Sequence, residues 1–216
     1  MEVLEYLPRR GHYIFGVTWI GLLYYFNFIQ GGYMASASNE AKVSAFTKLV
    51  PNALWYFRFA ALFTFLTGII LLYQIHTSRL GPDILIGVIM GTLMFLNVWG
   101  IIWPNQKIVI ASNESVAAGG EADPNQASAA AKALLASRTN TLLSMPMLFY
   151  MGSAHWSNSA ATISGSNLGF VLALLIIAAL EVNAIVGKLG PITTVKGVIG
   201  SSLALTVVFL VLSSVL

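Results

Sequence analysis

Six apolar stretches divide the chain, separated by segments rich in polar and turn-forming residues. The first is 12–30, HYIFGVTWIGLLYYFNFIQ, nearly free of charge and opened by a histidine. Its length is close to the roughly 20 apolar residues an α-helix needs to cross a bilayer's hydrocarbon core. The others are 52–75, 83–103, 138–156, 168–186 and 195–216. The pattern predicts an all-α, polytopic integral membrane bundle of about six transmembrane helices.

The segments between them carry their own signals. Residues 31–51 are polar with Ser, Ala and Lys, and predict a loop with a short surface helix. Residues 76–82 form a tight connection around Gly81-Pro82. The third span is expected to stop at Pro104. The longest polar stretch, 104–140, begins loop-like, with Gly119-Gly120. Asp123-Pro124 then pairs a helix N-cap with proline at the first helical position. From there an Ala-rich helix is expected to run into the fourth span. Its length, about 33 residues or roughly 50 Å, makes it project into the cytoplasm beyond the bilayer, with Pro146 as a site of bending. The loop–helix 104–137 lies outside the membrane in this reading, 157–167 is an uncharged loop and 187–191 a turn. No internal repeat or soluble domain is evident, and 1–216 reads as one membrane domain.

Composition narrows the class. The 216 residues are 57% hydrophobic and 9% charged, with a mean hydropathy of +0.79. A soluble domain is about 25% charged, so the surface must meet membrane lipid. The net charge of +3 comes without any basic run, which gives no reason to expect a nucleic-acid partner. The absence of cysteine excludes disulfides, thiolate metal sites, iron–sulfur clusters and covalent CxxCH haem attachment. The first apolar run is too long for a signal peptide's core and lacks an A-x-A-like cleavage site. Lys42, Lys48, Lys107, Lys132, Arg138, Lys188 and Lys196 fall in odd-numbered loops; only Arg9, Arg10 and Arg79 fall at the N-terminus and in even-numbered loops. The positive-inside rule then puts both termini outside, on the periplasmic face of a bacterial inner membrane.

This orientation places His12, His76 and His155 at one membrane face. Gly16 lies one turn deeper than His12 and Gly152 one turn deeper than His155, each under its histidine on the same helix face. A flat macrocycle between two imidazoles needs small residues there, so His12 and His155 are candidate axial ligands of a b-type haem. His76 is a more interfacial third candidate. Three imidazoles without a carboxylate also suit copper. The plainer account is interfacial histidines and glycines that let helices pack closely.

Arg58, Glu181, Asn27, Asn97 and Asn183 fall toward the opposite face. Arg58 and Glu181 are the charges inside spans, and the cost of an unpaired buried charge predicts that they pair with each other or with nearby amides. Such a set serves either as a clamp between the second and fifth spans or as part of a proton path or polar cavity. Trp19, Trp55, Trp99 and Trp103 fit an interface belt or helix packing. The chain holds no GxGxxG, GxxxxGK[ST] or HExxH motif and no serine nucleophile elbow.

Three segments resemble the membrane-embedded N-terminal domain of the PuuD-type urate oxidases (urate hydroxylases). They are GHYIFGVTWIGLLYYFNF; MFLNVWGIIWPNQKIVIA, with Asn97, Trp99 and the turn from Trp103 to Lys107; and ASRTNTLLSMPMLFYMGSAHW, with Arg138, Asn140, Pro146 and His155. The resemblance implies a redox membrane domain, which in full-length members precedes a C-terminal c-type cytochrome. With no cysteine and an end after the sixth span, this chain is expected to lack that cytochrome. His12 and His155 match the family pattern. Two functions compete: a haem-bearing redox protein passing electrons to a cytochrome c or other respiratory partner, and a cofactor-free accessory subunit of a larger membrane complex. A transporter is a distant third, because no paired broken helices or repeat symmetry is evident.

Overall fold

Prolines and widened helical turns shape the first half of the molecule. A computed structural model of the chain describes residues 2–75, 81–153 and 168–215. Helix α1, Glu2–Tyr24, passes through a π-helical segment, Tyr25–Gln30, into α2, Gly31–Ser36. After a break at Ala37 and Ser38, α3, Asn39–Ser44, passes through a second π segment, Ala45–Leu49, into α4, Val50–Ile75. Helix α5, Pro82–Asn97, passes through a third, Val98–Ile102, into α6, Trp103–Ala117. Helices α7, Gln126–Ser153, α8, Leu168–Val186, and α9, Val195–Val215, follow, with a 3-10 turn at Gly190–Thr193. There is no strand among the described residues.

Two boundaries expected from the sequence are therefore corrected. The 31–51 stretch is helical except at Ala37 and Ser38, where both residues are extended and the Ser38 hydroxyl accepts the Ala41 N–H at 3.3 Å. The third apolar helix does not stop at Pro104; it continues to Ala117. A proline inside a helix loses one backbone hydrogen bond, and its ring meets the carbonyl four residues back. For Pro51 and Pro104 that carbonyl belongs to Thr47 and Gly100, each inside a π segment. The wider π turn moves the carbonyl away from the ring and lets the helix pass.

The expected start of the long helix holds. The Asp123 carboxylate accepts the Asn125 N–H at 2.7 Å. The connection before it is pinned by Ser112, whose hydroxyl accepts the Asp123 N–H at 2.8 Å and donates to Gln126. Gly119, at φ 84°, closes α6 with a left-handed turn that glycine adopts without strain. The first half of α7 does not stand alone: Ala129, Ala133 and Ala136 on α7 and Val109 and Ile110 on α6 are buried, and α3 packs on α6 as well.

Helix α7 is the axis of the bundle, packed against α1, α5, α6, α8 and α9. Residues 138–144 are all buried. Seven consecutive positions cover every face of a helix, so α7 is enclosed by protein at this level. Four other helical stretches are long and apolar enough to cross a membrane: Asn39–Gln74, Pro82–Ala117, Leu168–Val186 and Val195–Leu212. They turn large apolar side chains outward, such as Phe63, Ile69, Leu175, Val182, Leu203 and Val207. Over 138–144 helix α7 has no such need, and its Ser, Thr and Asn side chains meet neighbouring helices instead, while Leu148 and Phe149 further along are exposed. The stretch 12–30 is helical too, but Tyr, Asn, Gln and His dilute its apolar character.

Candidate functional site

Polar side chains gather at two levels of the bundle. At the first, α1 crosses α4 closely. His12 Nδ1 lies 2.9 Å from the Thr64 carbonyl and 3.2 Å from Thr67 Oγ1. A carbonyl oxygen only accepts, so Nδ1 carries the proton. In the neutral ring Nε2 then holds the lone pair, and Nε2 makes no hydrogen bond among the described residues. The ring lies against Gly68, where an added Cβ would come 3.2 Å from His12 Cε1. Gly16 faces Thr64 of α4, with 3.9 Å between the Thr64 methyl and an added Cβ, and serves the α1–α4 crossing. Gly152, on the last turn of α7, is exposed with open space around it. His155 and His76 lie outside the described residues. Among the described residues no group of three or more His, Asp or Glu could hold a metal.

The second level lies at the π-segment end of the bundle. Asn97, the last residue of α5, donates from Nδ2 to Asn140 Oδ1 at 3.0 Å and to Glu181 Oε2 at 3.1 Å. Asn140 donates in turn to the Met94 carbonyl at 2.9 Å. These bonds tie α5, α7 and α8 together. Asn27, in the first π segment, donates to the Leu23 carbonyl at 2.9 Å and to Ser137 Oγ at 2.8 Å, joining α1 to α7. One turn further along, Tyr24 and Ser144 share a hydrogen bond of 2.9 Å.

Of the two intramembrane charges, Glu181 takes the amide option through Asn97. Arg58 instead stacks on Trp103, with its guanidinium carbon 3.7 Å from the ring centroid. A half-buried guanidinium over an indole face is a favourable cation–π pair. Asn183 does not join the cluster. It holds the turn after α8, accepting the Lys188 N–H at 3.2 Å and donating to the Lys188 carbonyl at 3.0 Å. Sequence reasoning placed Arg138 with the loop charges, yet it is buried. Asn140, Ser137, Thr141 and Ser144 were missed as a set as well. Their spacing of three and four residues marks a polar face on one helix, a signal present in the sequence.

A multi-helix membrane protein with a polar, hydrogen-bonded centre is what this fold and these clusters define. The chain matches the profile of the urate oxidase N-terminal family over residues 73–213, well over half its length, and it belongs to that family. The matched part contains α5 to α8 and most of α9, but not α1 with His12. No curated protein and no solved structure matches the chain.

Proposed function

We propose that this chain is a membrane redox protein of the urate oxidase N-terminal family, in a bacterial inner membrane, in which the His12 imidazole would hold a b-type haem. His155 is the intended second imidazole, and the recipient of the electrons is a cytochrome or another respiratory subunit. The observation that carries the reading is the His12 hydrogen bond to the Thr64 carbonyl. Metal-ligating histidines commonly donate their other ring N–H to such an oxygen, which fixes the tautomer and the ring plane. Here that bond commits Nδ1 and leaves Nε2 unengaged, as a ligand nitrogen requires. The residues present thus fit one imidazole that would hold the group, while Gly16 is occupied in helix packing. Haem bound there would supply one-electron transfer. The chain's own part is to hold the imidazole neutral and oriented, through Thr64, Thr67 and Gly68.

The test is an absorption spectrum of the purified native protein with haem and metal analysis. The expected result is a Soret band that His12→Ala removes or shifts while the fold is retained. A protein without a Soret band, or a variant spectrum identical to wild type, overturns the reading in favour of a cofactor-free subunit; stoichiometric copper would transfer it to that metal.

A further inference from the structure

Arg138 is 7% exposed, and its Nε and Nη1 have no hydrogen-bond partner. No ion pair is formed to it among the described residues. Removing a charge from water without pairing it is among the most expensive things a fold can do. The nearby acid does not serve: Glu181 is reached through Asn97 and Asn140, and Arg138 precedes Asn140 by two residues, about 200° around the helix. Arg138 therefore faces away from that network.

Helix geometry aims it at the start of α9. Ser202 donates to the Leu142 carbonyl at 2.7 Å, and Phe209 packs on Tyr150, with ring centroids 6.2 Å apart. Both pairs advance together, so α7 and α9 run parallel. Leu142 is clustered with Val198 and with Ile192 of the 3-10 turn. Arg138 is one turn before Leu142 on the same face, and helical side chains lean toward the helix N-terminus. That brings its guanidinium to the level of the first turn of α9. There Thr194 caps the helix, accepting the Gly197 N–H at 3.0 Å, and the remaining first-turn amides carry the positive end of a 21-residue helix. The turn and the start of α9, GKLGPITTVKG, contribute Lys188 and Lys196 and no acid. Lys188 and Lys196 are exposed.

We propose that Arg138 and the amino-terminal turn of α9 form a binding site for an oxyanion, a phosphate or carboxylate group that enters past Lys188 and Lys196. The fan of guanidinium N–H donors matches the oxygens of such a group. Its source is either a net-anionic lipid headgroup, whose phosphate no choline cation offsets, or a free solute.

The test compares wild type with R138M in lipid nanodiscs by thermal unfolding. In phosphatidylcholine discs with chloride alone, R138M unfolds at the wild-type temperature or above, because it no longer buries an unpaired charge. Inorganic phosphate in the same discs, or phosphatidylglycerol discs without phosphate, raises the wild-type midpoint by roughly 4 °C and leaves R138M unmoved. A shift with phosphate identifies a free anion, and a shift with phosphatidylglycerol a headgroup. No shift of wild type with either, or an equal shift of R138M, overturns the site. Should R138M not fold, the exposed pair K188Q/K196Q replaces it and weakens the effective anion's titration several-fold; an unchanged titration overturns the site.

Discussion

Pro146 and Ser202 make a matched pair whose energetics can be measured. Pro146 lies inside α7 and has no N–H, so the Leu142 carbonyl loses its donor four residues on. That carbonyl is at a buried residue, and Ser202 of α9, itself fully buried, donates to it at 2.7 Å. Ser202→Ala leaves the carbonyl without this partner. A buried unsatisfied group costs about 1–3 kcal/mol, while interhelical hydrogen bonds in membranes average about 0.6 and reach about 1.7 kcal/mol. The expected cost is therefore about 1–2 kcal/mol. Pro146→Ala returns a main-chain donor to the same carbonyl. In that background Ser202→Ala should cost no more than about 0.5 kcal/mol, a coupling of roughly 1 kcal/mol between the two sites. At about 2–4 °C per kcal/mol for a chain of this size, four melting curves in one detergent resolve the difference. The same loss on Ser202→Ala in both backgrounds would refute the idea that the serine substitutes for the helix's missing donor.

Other outcomes follow from contacts already described. Asn97→Ala and Asn140→Ala should each lower stability by about 1–2 kcal/mol, and a double-mutant cycle should return a coupling near 1 kcal/mol; a coupling near zero would mean that the bond between them contributes nothing. Gly87 faces Tyr150 Cβ at 3.3 Å and the Met151 backbone nitrogen at 3.4 Å from an added Cβ. Gly87→Ala should cost about 1 kcal/mol and Gly87→Leu about 3 kcal/mol or more, read as melting midpoints, with equal losses counting against a close α5–α7 crossing. Gly68→Val should push the His12 ring off the Thr64 carbonyl, and nitrogen-15 spectra of the histidine should lose the hydrogen-bonded Nδ1 proton that wild type displays.

The helices were legible because their apolar lengths match a bilayer, and the Asp123-Pro124 start was legible because capping chemistry is local. The boundaries at 31–51 and at Pro104 were not. Proline reads as a stop unless the preceding turn is widened, and no residue pattern announces a π turn. Arg138 was counted as a loop charge because a charge tally records position along the chain and not the direction of a side chain. Of the polar set, Asn27, Asn97 and Glu181 sit where helices meet, Asn27 bonded to Ser137 and Asn97 to Glu181. Asn183 bonds the chain reversal after α8 instead, and Arg58 lies over the Trp103 ring, with no ion pair to Glu181 among the described residues.

The three π segments stand at the same end of the bundle, each joining an apolar helix to a less apolar extension. A π turn carries about one residue more than an α turn. Deleting a single residue inside Tyr25–Gln30 converts that segment to ordinary α-helix without breaking the rod; in Ala45–Leu49 or Val98–Ile102 it would bring the Thr47 or Gly100 carbonyl back against Pro51 or Pro104. Everything beyond the converted segment then keeps nearly its direction, whereas the same deletion in a regular α-helical stretch would turn it by about 100° and draw it back by about 1.5 Å. Each segment thus takes up one extra residue locally, so that α2, α3 and α6 keep the faces they present while the membrane core stays as it is.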